Sequence, residues 1–500
     1  MTHTKWDDLN WAKIEDTIFI MQKQIYAAKK SNNIEKLRNI QNLLINSHEA
    51  KLLAVNKVTK VGTWKNTSSV YYKLPINDED RYVLADQLVI DGTVSPLRRI
   101  YTSSIKKSEI IQLGIATIFD KCKQLLVKLA IEPELEYSFD PRSYGFRPVK
   151  TAIDAILAIR SYMIFRDQSV WVFNADICRS FDKIDHEVLM KKLSLGEPFN
   201  KQISLWLKSG LFEEGVAFSS FDNSPLGGVL SPLLANALLN EMQQILRNFI
   251  QSKFGTEVMK KTMFVRYGYH FIVLAPSEDV IIHTKFACET FLKSINLDID
   301  QSRNQIISSL LECKNGKIIS TPFDFLGFRF IQRYVSIHKE FASKSGFKTR
   351  FITRVIPAPS RIERHKASIT RVLKSIGSVK AAIEILNPRI QAWCNYFRYS
   401  DSKLNTNIPK KLDLWMNAKM RKFIRRTTKR RGKACEFWKQ NSKEWILYAK
   451  YIDEKTGNEV EITLKKYSSF KWSISDYPVL PLFFKVYELP SLKTLKRQIE

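Results

Sequence analysis

The sequence lacks paired cysteines, which limits the sites and compartments to be considered. Six cysteines are scattered over 500 residues, and no two of them form a Cys-x-x-Cys pair. Structural zinc sites and disulfide frameworks both require cysteines at regular, close spacings. Neither is therefore expected, and the cysteine usage fits a reducing compartment.

Long apolar runs and an amino-terminal targeting segment are also missing. A membrane-spanning helix needs about 20 consecutive apolar residues, and no run approaches that length. Acids at Asp7, Asp8, Glu15 and Asp16 are wrong for a signal peptide and for an acid-poor transit peptide. We expect no membrane partner and a protein that works where it is made.

Acidic residues are few relative to basic ones. The chain has 79 Lys and Arg against 50 Asp and Glu, a formal net charge of +29. Such an excess predicts a polyanionic partner, and nucleic acid is the first interpretation. The alternative is a generally basic surface encoded by an A/T-rich genome, which favours Lys, Asn and Ile codons.

The strongest basic run is Lys419–Lys433, KMRKFIRRTTKRRGK, with nine basic residues in fifteen and no acid. Aromatic residues accompany it at Trp415, Phe423, Phe437 and Trp438. Aromatic rings can stack on unpaired bases while arginines hold phosphates. The run therefore predicts an RNA-binding segment, with a targeting tract or a solvated helix as the alternative.

A second informative stretch is VWVFNADICRSFDKIDH, which begins at Val170. Its β-branched and aromatic residues predict a buried strand that ends at Asp176. A carboxylate there suits a divalent cation, but two-metal phosphoryl transfer needs additional bridging carboxylates. The alternative is an acid that caps the helix beginning near Asp182 or Asp185.

Five segments together resemble a known family. They are SYGFRPVKTAIDAI (143–156), FNADICRSFDKIDH (173–186), SPLGGVLSPLLANALL (224–239), FVRYGYHFIVLAP (264–276) and FDFLGFRF (323–330). Their order and spacing resemble those of group II intron reverse transcriptases. PRIQAWCNYFRY (Pro388–Tyr399) is similar to the maturase-specific region of that family, and Trp11–Thr59 to its N-terminal extension.

The resemblance implies an α+β fold: right-hand-like reverse transcriptase fingers and palm with an antiparallel palm sheet, then an all-α thumb/maturase bundle. The implied domains are a helical N-terminal extension (1–60), fingers and palm (61–355), the thumb bundle (356–402) and a basic RNA-binding C-terminal region (403–500). Some relatives carry a DNA endonuclease at the C-terminus, with paired cysteines and histidines. Past residue 435 this chain has neither residue type, so no endonuclease is expected.

Local patterns add element predictions. Apolar spacing predicts a helix over Ile115–Ile131 and a hairpin over Phe264–Leu274. Phe323–Phe330 is predicted as one strand, and residues 361–397 as three amphipathic helices on short loops. His365, in the first of these helices, is expected to pack in the bundle rather than to perform chemistry.

The chain departs from the family at the catalytic positions. The family's Tyr-Ala-Asp-Asp block reads Tyr-Gly-Tyr-His here, with Tyr269 and His270 in place of the acids. A phenol with a pKa near 10 ligates magnesium poorly, and imidazole prefers softer metals. Leu226 replaces a glutamine near the incoming nucleotide, and Ile111 a basic fingers residue. The resemblance then implies a vestigial Asp176, no functional catalytic residue and no metal site.

Candidate RNA-binding residues follow from the turn at Arg147, the thumb helices and the basic run. Arg147 is interpreted as contacting template phosphate, or alternatively as paired with Asp140. The full set is Arg147, Arg361, Arg364, Lys366, Arg371, Lys419, Arg421, Lys422, Arg425, Arg426, Lys429, Arg430, Arg431 and Lys433.

These expectations combine into a group II intron maturase, an RNA-binding splicing cofactor that folds its intron RNA for self-splicing. Its partner would be group II intron RNA within precursor mRNA, and formation of a homodimer stays open. No cofactor is expected beyond the Mg²⁺ associated with the intron RNA. Lost polymerase motifs, few glycines and abundant Lys, Asn and Ile favour a plastid (chloroplast) gene, with a mitochondrion or a bacterial cytoplasm as alternatives.

Two other functions stay open at this stage. One is an active RNA-directed DNA polymerase supporting intron mobility, which should carry Asp-Asp at positions 269 and 270. The other is a defence-associated reverse transcriptase relative, against which the maturase-like block Pro388–Tyr399 argues.

Overall fold

The structure is a computed structural model in which the chain forms two compact units. It describes residues 5–60, 77–103, 110–166, 168–178, 184–209, 211–213, 216–218, 228–312, 318–334, 351–402, 407–428, 437–441, 444–452, 457–477, 486–489 and 491. The first unit comprises Met1–Ala155, Trp171–Ile306 and Leu480–Glu500, and the second comprises Ile156–Val170 and Ile307–Val479. The predicted domain boundaries at 60, 355 and 402 stay predictions.

The described chain as far as residue 308 consists of helices and short strands. The helices are α1 (Trp11–Lys30), α2 (Ile34–Asn46), α3 (His48–Thr59), α4 (Asp78–Gln87), α5 (Ile118–Ser138), α6 (Ala152–Arg166), α7 (His186–Leu193), α8 (Phe199–Leu207), α9 (Ser231–Leu239), α10 (Glu241–Phe254), α11 (Thr256–Lys261) and α12 (Glu278–Lys293). The strands are β1 (Leu97–Ser103), β2 (Ile110–Ile115), β3 (Ser143–Tyr144), β4 (Trp171–Asp176), β5 (Leu211–Glu213), β6 (Val216–Phe218), β7 (Met263–Tyr267), β8 (His270–Ala275) and β9 (Gln305–Ser308).

In the described residues from 310 to 463, strands come first and last, with helices between them. The strands are β10 (Leu310–Glu312), β11 (Ile318–Ser320), β12 (Phe323–Phe325), β13 (Phe328–Tyr334), β14 (Phe351–Pro357), β15 (Trp438–Asn441), β16 (Glu444–Ile452) and β17 (Glu459–Thr463). The helices are α13 (Pro359–Ser375), α14 (Val379–Phe397) and α15 (Ile408–Thr428). Among the described residues, no helix is both long and apolar enough to cross a membrane.

The amino-terminal helices pack on α5, and a proline explains one of their two buried glutamines. Pro133 lies inside α5 and has no N–H, so the carbonyl of Leu129 loses its usual helical donor. Gln22 of α1 donates its side-chain amide to that carbonyl at 2.9 Å. Gln41 of α2 donates to the neighbouring Ala130 carbonyl at 3.1 Å. These bonds connect both helices to α5 because a buried carbonyl must find a donor.

The central sheet of the first unit has the order β3-β7-β8-β4-β9. β8 pairs antiparallel with β7 and with β4, whereas the two-residue strand β3 pairs parallel with β7. Phe173 and Phe271 meet edge to face with ring centroids 5.5 Å apart, and both are buried. The mixed architecture agrees with the predicted α+β class, and the predicted strand before Asp176 and the predicted hairpin are confirmed.

The structure corrects three element predictions, one of them only in where the helix begins. Phe323–Phe330 is a hairpin, β12 and β13, rather than one strand, because Leu326 and Gly327 both take left-handed backbone angles that reverse the chain. It belongs to a three-stranded antiparallel sheet with β14. The predicted helix over Ile115–Ile131 begins later, because Ile115 ends β2 and Thr117 caps α5 by accepting the N–H of Asp120.

The predicted second and third thumb helices are one helix, α14. Pro388 lies between the two predicted segments, and an interior proline costs roughly 3 kcal/mol. The helix continues through it because one buried stripe runs along its whole length. The stripe consists of Val379, Ala382, Ile383, Leu386, Ile390, Trp393, Cys394 and Phe397. Against α14 pack β16 and β17, which lie in a region for which no strand was predicted.

Candidate functional site

Asp176 ends β4, and its carboxylate is paired within the fold. The register of β4 with β8 places Asp176 directly opposite His270. The His270 Nδ1 contacts Asp176 Oδ1, and Arg303 Nη1 donates to Oδ2 at 2.7 Å. Arg303 lies in a short turn after Asp300, whose backbone N–H donates to the Asp176 carbonyl at 2.8 Å. Both carboxylate oxygens therefore have partners from the chain itself.

This pairing sets the charge of Asp176 and bears on whether a metal could bind. Burial alone would raise the pKa of Asp176, but the hydrogen bonds and charges of His270 and Arg303 lower it below its usual range. The magnesium pair of a reverse transcriptase requires bridging carboxylates. Here positions 269 and 270 offer a phenol and an imidazole, and within the described ranges no cluster of three or more His, Cys, Asp or Glu could hold a metal. The donor set does not fit the metal pair.

The other acid considered near Asp176 has a structural position. Asp185 caps α7, where its carboxylate accepts the backbone N–H groups of Glu187 at 2.9 Å and Val188 at 3.2 Å. The helix that begins near Asp185 is therefore capped by Asp185 itself, whereas the strand-end acid Asp176 contacts His270 and Arg303. Asp182 and Leu226 lie outside the described residues, and Ile111 lies in β2, opposite Thr102 of β1.

A buried arginine holds the turn between β7 and β8. Arg266 Nη1 donates to Asn236 Oδ1 at 2.9 Å and to the Gly268 carbonyl at 3.1 Å, and Nη2 donates to Ser143 Oγ at 2.5 Å. Gly268 has φ +58°, a left-handed angle that glycine adopts without strain. Burial lowers the pKa of Arg266 to about 9, because leaving water disfavours the charged form.

Arg147 is buried rather than presented to a ligand. Its Nε and Nη2 donate to the two carboxylate oxygens of Glu136 at 3.0 and 2.6 Å. Its Nη1 donates to the carbonyls of Asp140 and Ser143 at 2.6 and 2.5 Å. The alternative of a pair with Asp140 is met by the Asp140 backbone carbonyl, whereas the carboxylate that pairs with Arg147 is that of Glu136. A template-phosphate contact by Arg147 is not supported by this burial.

Three of the predicted RNA-binding residues, Lys419, Lys422 and Arg426 of α15, border a groove in the second unit, whereas those predicted on α13 do not border it. The groove is bordered by Thr370, Leu373, Lys374, Lys419, Lys422, Phe423 and Arg426. Lys374, Lys422 and Arg425 are exposed, as are Arg364 and Arg371. Cations displayed along an apolar floor suit a sugar-phosphate backbone with an occasional unpaired base.

Several of these cations also have partners within the protein. Arg426 donates to the carbonyls of Leu373 and Ile376 at 2.5 and 3.3 Å, and so caps the end of α13. Lys366 bonds Glu363 at 2.8 Å. Arg421 lies 5.7 Å from the ring centroid of Trp438.

The remaining predicted RNA-binding residues divide into two groups. Exposed Arg361 lies over Gly327, where an added Cβ would be 3.2 Å from the Arg361 Nε. Lys419 is half-buried, with its ammonium 5.7 Å from the ring centroid of Trp415. The others lie outside the described residues: Lys429, Arg430, Arg431 and Lys433.

Two functional positions escaped the sequence reasoning. Arg303 donates a hydrogen bond to the Asp176 carboxylate from 127 positions along the chain, and no local sequence pattern predicts that contact. Thr370 lies between Lys366 and Lys374 at four-residue spacing on α13, a helical repeat that could have indicated the groove.

Family models match the chain in three consecutive segments. The N-terminal domain of reverse transcriptase matches residues 6–88, reverse transcriptase (RNA-dependent DNA polymerase) residues 106–330, and the group II intron maturase-specific domain residues 362–445. A fold of this kind with a sheet-borne Asp176 is that of a reverse transcriptase-like protein. The chain belongs more narrowly to the group II intron maturase and reverse transcriptase family.

Individual relatives agree with this assignment. Maturase-like protein 1 of Euglena gracilis is 25% identical over 78% of this chain and 77% of its own length. Its counterpart in Euglena longa is 24% identical over 79% and 78%. The group II intron-encoded protein LtrA of Lactococcus lactis subsp. cremoris is 32% identical over 34% of this chain, which spans 29% of the length of LtrA.

Proposed function

We propose that this chain is a group II intron maturase that binds its intron RNA and assists splicing without synthesising DNA. In this family the intron RNA itself performs the transesterification, so the protein needs affinity and shape rather than a catalytic centre. The Mg²⁺ required would be held by the RNA. The maturase assignment follows from the maturase-specific segment at residues 362–445 and from the maturase-like relatives.

The observation that carries the loss of polymerase activity is the pairing of Asp176. Primer extension needs two cations that activate the 3′ hydroxyl and stabilise the leaving phosphate. Arg303 and His270 already engage both oxygens of Asp176, and neither Tyr269 nor His270 can replace a bridging carboxylate. A cation entering this site would have to displace a guanidinium and would find one carboxylate instead of several.

RNA binding is supported by the groove between α13 and α15. Its exposed cations can neutralise phosphates, and each phosphate that is neutralised releases condensed counterions. Phe423 and Leu373 form an apolar floor that a base or sugar could cover. The surface therefore combines the two chemical features of a single-stranded or junction RNA site.

The decisive experiment compares DNA synthesis with splicing in the same preparation. We expect the purified protein to give no template-dependent cDNA with magnesium or manganese, yet to promote splicing of the intron whose ends flank its reading frame. Asp176→Ala should splice near the parent level, because Asp176 has a structural pairing and no catalytic role. Asp279→Ala, which removes an exposed acid of α12, is the matched control.

Synthesis of cDNA by the parent, abolished by Asp176→Ala and retained by Asp279→Ala, would overturn the proposal. It would establish instead an active RNA-directed DNA polymerase. Failure of both splicing and RNA binding in the parent would refute the maturase function itself.

We also propose that the gene lies in an organelle, and that this organelle is a plastid rather than a mitochondrion. Support comes from the Lys-, Asn- and Ile-rich composition and from the two Euglena maturase-like relatives. A homodimer stays a proposal, and sedimentation of the purified protein would test it.

A further inference from the structure

Phe146 combines a strained backbone with an exposed aromatic ring. Its φ is +56°, in the left-handed region that a bulky residue rarely adopts. Its side chain is nevertheless 52% exposed, so the strain is not compensated by burial of the ring. Outliers of this kind persist where the surroundings over-determine them, and they are concentrated at functional sites.

The neighbours of Phe146 are all fixed. The Gly145 carbonyl accepts the Asn236 side-chain amide at 2.9 Å, and the Gly145 N–H donates to the Lys150 carbonyl. On the other side, Arg147 makes four hydrogen bonds to Glu136, Asp140 and Ser143. The backbone therefore cannot relax at Phe146 without breaking buried bonds on one side or the other.

The ring stands beside the turn between β7 and β8. A Cβ added to Gly268 would come within 2.9 Å of Phe146 Cε2, so one edge of the ring lies against that glycine. The Gly268 N–H donates to the Tyr144 carbonyl at 3.0 Å, which fixes the turn and the ring together. The opposite flank of the same hairpin carries Asp176 and the half-exposed guanidinium of Arg303.

Exposure alone would not single out this residue. Phe286 on α12 is 67% exposed, but isolated apolar side chains on a surface are normal and need no explanation. Phe286 lies within a regular helix, so its exposure requires no unusual backbone. Phe146 differs because a buried network holds a strained backbone in the one conformation that presents its ring.

We propose that Phe146 is a stacking platform for an unpaired nucleobase of the bound RNA, beside the hairpin that no longer holds metals. The inference rests on the proposed RNA-binding function and adds a specific contact outside the α13–α15 groove. An aromatic face accepts any base, and a chain of net charge +29 attracts the phosphates that accompany it. A base in a regular duplex is already stacked, so the contact selects single-stranded nucleotides.

The experiment measures the affinity of the full chain for a single-stranded RNA of about 12 nucleotides and for the same length of RNA duplex. Phe146→Gly removes the ring and also relieves the left-handed strain, so the folded protein should be no less stable. Phe146→Leu keeps apolar bulk without an aromatic face, and Phe146→Trp keeps the face. Phe286→Ala is the matched control for loss of an exposed phenylalanine.

We expect Phe146→Gly and Phe146→Leu to bind the single strand roughly 5- to 150-fold more weakly than the parent. Duplex affinity and the salt dependence of binding should be unchanged, because a stacking contact displaces no counterions. Phe146→Trp and Phe286→Ala should bind like the parent.

Parental single-strand affinity in Phe146→Gly and Phe146→Leu would overturn the inference while leaving the proposed function intact. Equal losses on single strand and duplex would also overturn it, because they would indicate a contact to the backbone. A parent that binds neither RNA would refute the proposed function, and the inference with it.

Discussion

Two regions of the protein carry several cationic side chains, which are paired within the protein in one region and exposed to solvent in the other. Around the β7–β8 turn, Arg147, Arg266 and Arg303 each donate to acceptors of the chain itself. On the α13–α15 surface, by contrast, Lys422 and Arg425 extend into solvent. The first region uses positive charge to build a structure, and the second keeps it available for a ligand.

The physical cause of the contrast is desolvation. A guanidinium removed from water costs several kcal/mol unless hydrogen bonds and an opposite charge replace its hydration, so buried arginines must be paired internally. An exposed cation keeps its hydration and can exchange it for phosphate at little cost. The position of an arginine in the fold therefore decides its role, and a count of basic residues does not.

The largest expected effect comes from breaking the buried pairing. Arg147→Ala should lower the free energy of unfolding by about 3–5 kcal/mol, because it leaves the Glu136 carboxylate without its bidentate partner. Lys30→Ala is the control, since both side chains of the Lys30–Glu488 pair are exposed and the pair should contribute at most about 1 kcal/mol. Chemical denaturation measures both values.

A different result for Arg147→Ala would assign Arg147 to RNA binding rather than to the buried structure. If the variant unfolds like the parent but loses RNA affinity, Arg147 acts at the RNA surface, as the template-phosphate interpretation holds. Unchanged stability together with unchanged affinity would contradict both roles.

The next largest effect concerns the RNA affinity of the exposed cations on the α13–α15 surface. The triple substitution Lys374→Ala, Lys422→Ala and Arg425→Ala should weaken binding of intron RNA roughly 10- to 100-fold at low salt. It should also flatten the salt dependence by about one unit of log–log slope per lost phosphate contact. Stability should change by less than about 0.5 kcal/mol per site, because these side chains are exposed. Arg426 is left intact because it caps α13.

A triple variant at Lys208, Lys253 and Lys293 removes the same charge from exposed positions elsewhere and is the control. If both triple variants lose affinity equally, net charge rather than the groove attracts the RNA. The contrast between the two regions would then lose its functional meaning.

Sequence patterns predicted what depends on local periodicity. The strand before Asp176 and the β7–β8 hairpin follow from apolar spacing, and the structure confirms them. The hairpin at Leu326–Gly327 was missed because a single glycine between phenylalanines resembles a bend in one strand. The continuity of α14 was missed because its apolar positions were interpreted as two separate segments, whereas one buried stripe extends over the whole helix.

The candidate site was predictable in its residues but not in its contacts. The missing acids at positions 269 and 270 are visible in the sequence. The pairing of Asp176 with Arg303, and of Arg147 with Glu136, arises from chain segments that the fold brings together. Such pairings are decided by desolvation in the folded state, and no spacing rule encodes them.

On the buried side of α13, beneath the exposed cations, the polar side chain of His365 has its partners within the protein. His365 was expected to pack rather than to perform chemistry, and the structure confirms it. Its ring stacks on Trp393 with centroids 5.0 Å apart, and its Nε2 lies 2.8 Å from the Tyr467 hydroxyl. Burial, with a smaller contribution from the charge of Arg389, lowers the pKa of His365 to about 4.

The smallest expected effect is the pH dependence that follows from this histidine. In the unfolded chain His365 should titrate near its ordinary pKa of 6.5, whereas the folded protein keeps it neutral down to about pH 4. Between these values the unfolded state binds more protons, so the free energy of unfolding should fall as the pH falls through this window and should be constant above it. His365→Phe keeps the stacking on Trp393 but cannot take up a proton, so its unfolding free energy should lose this part of the slope. Denaturation at several pH values from 7.5 to 4.5, roughly spanning the window, measures the difference between parent and variant. If the unfolding free energy of the two proteins had the same pH dependence, the His365 ring would take up its proton in the folded protein. His365 would then be accessible to solvent, like the exposed cations of α13 and α15.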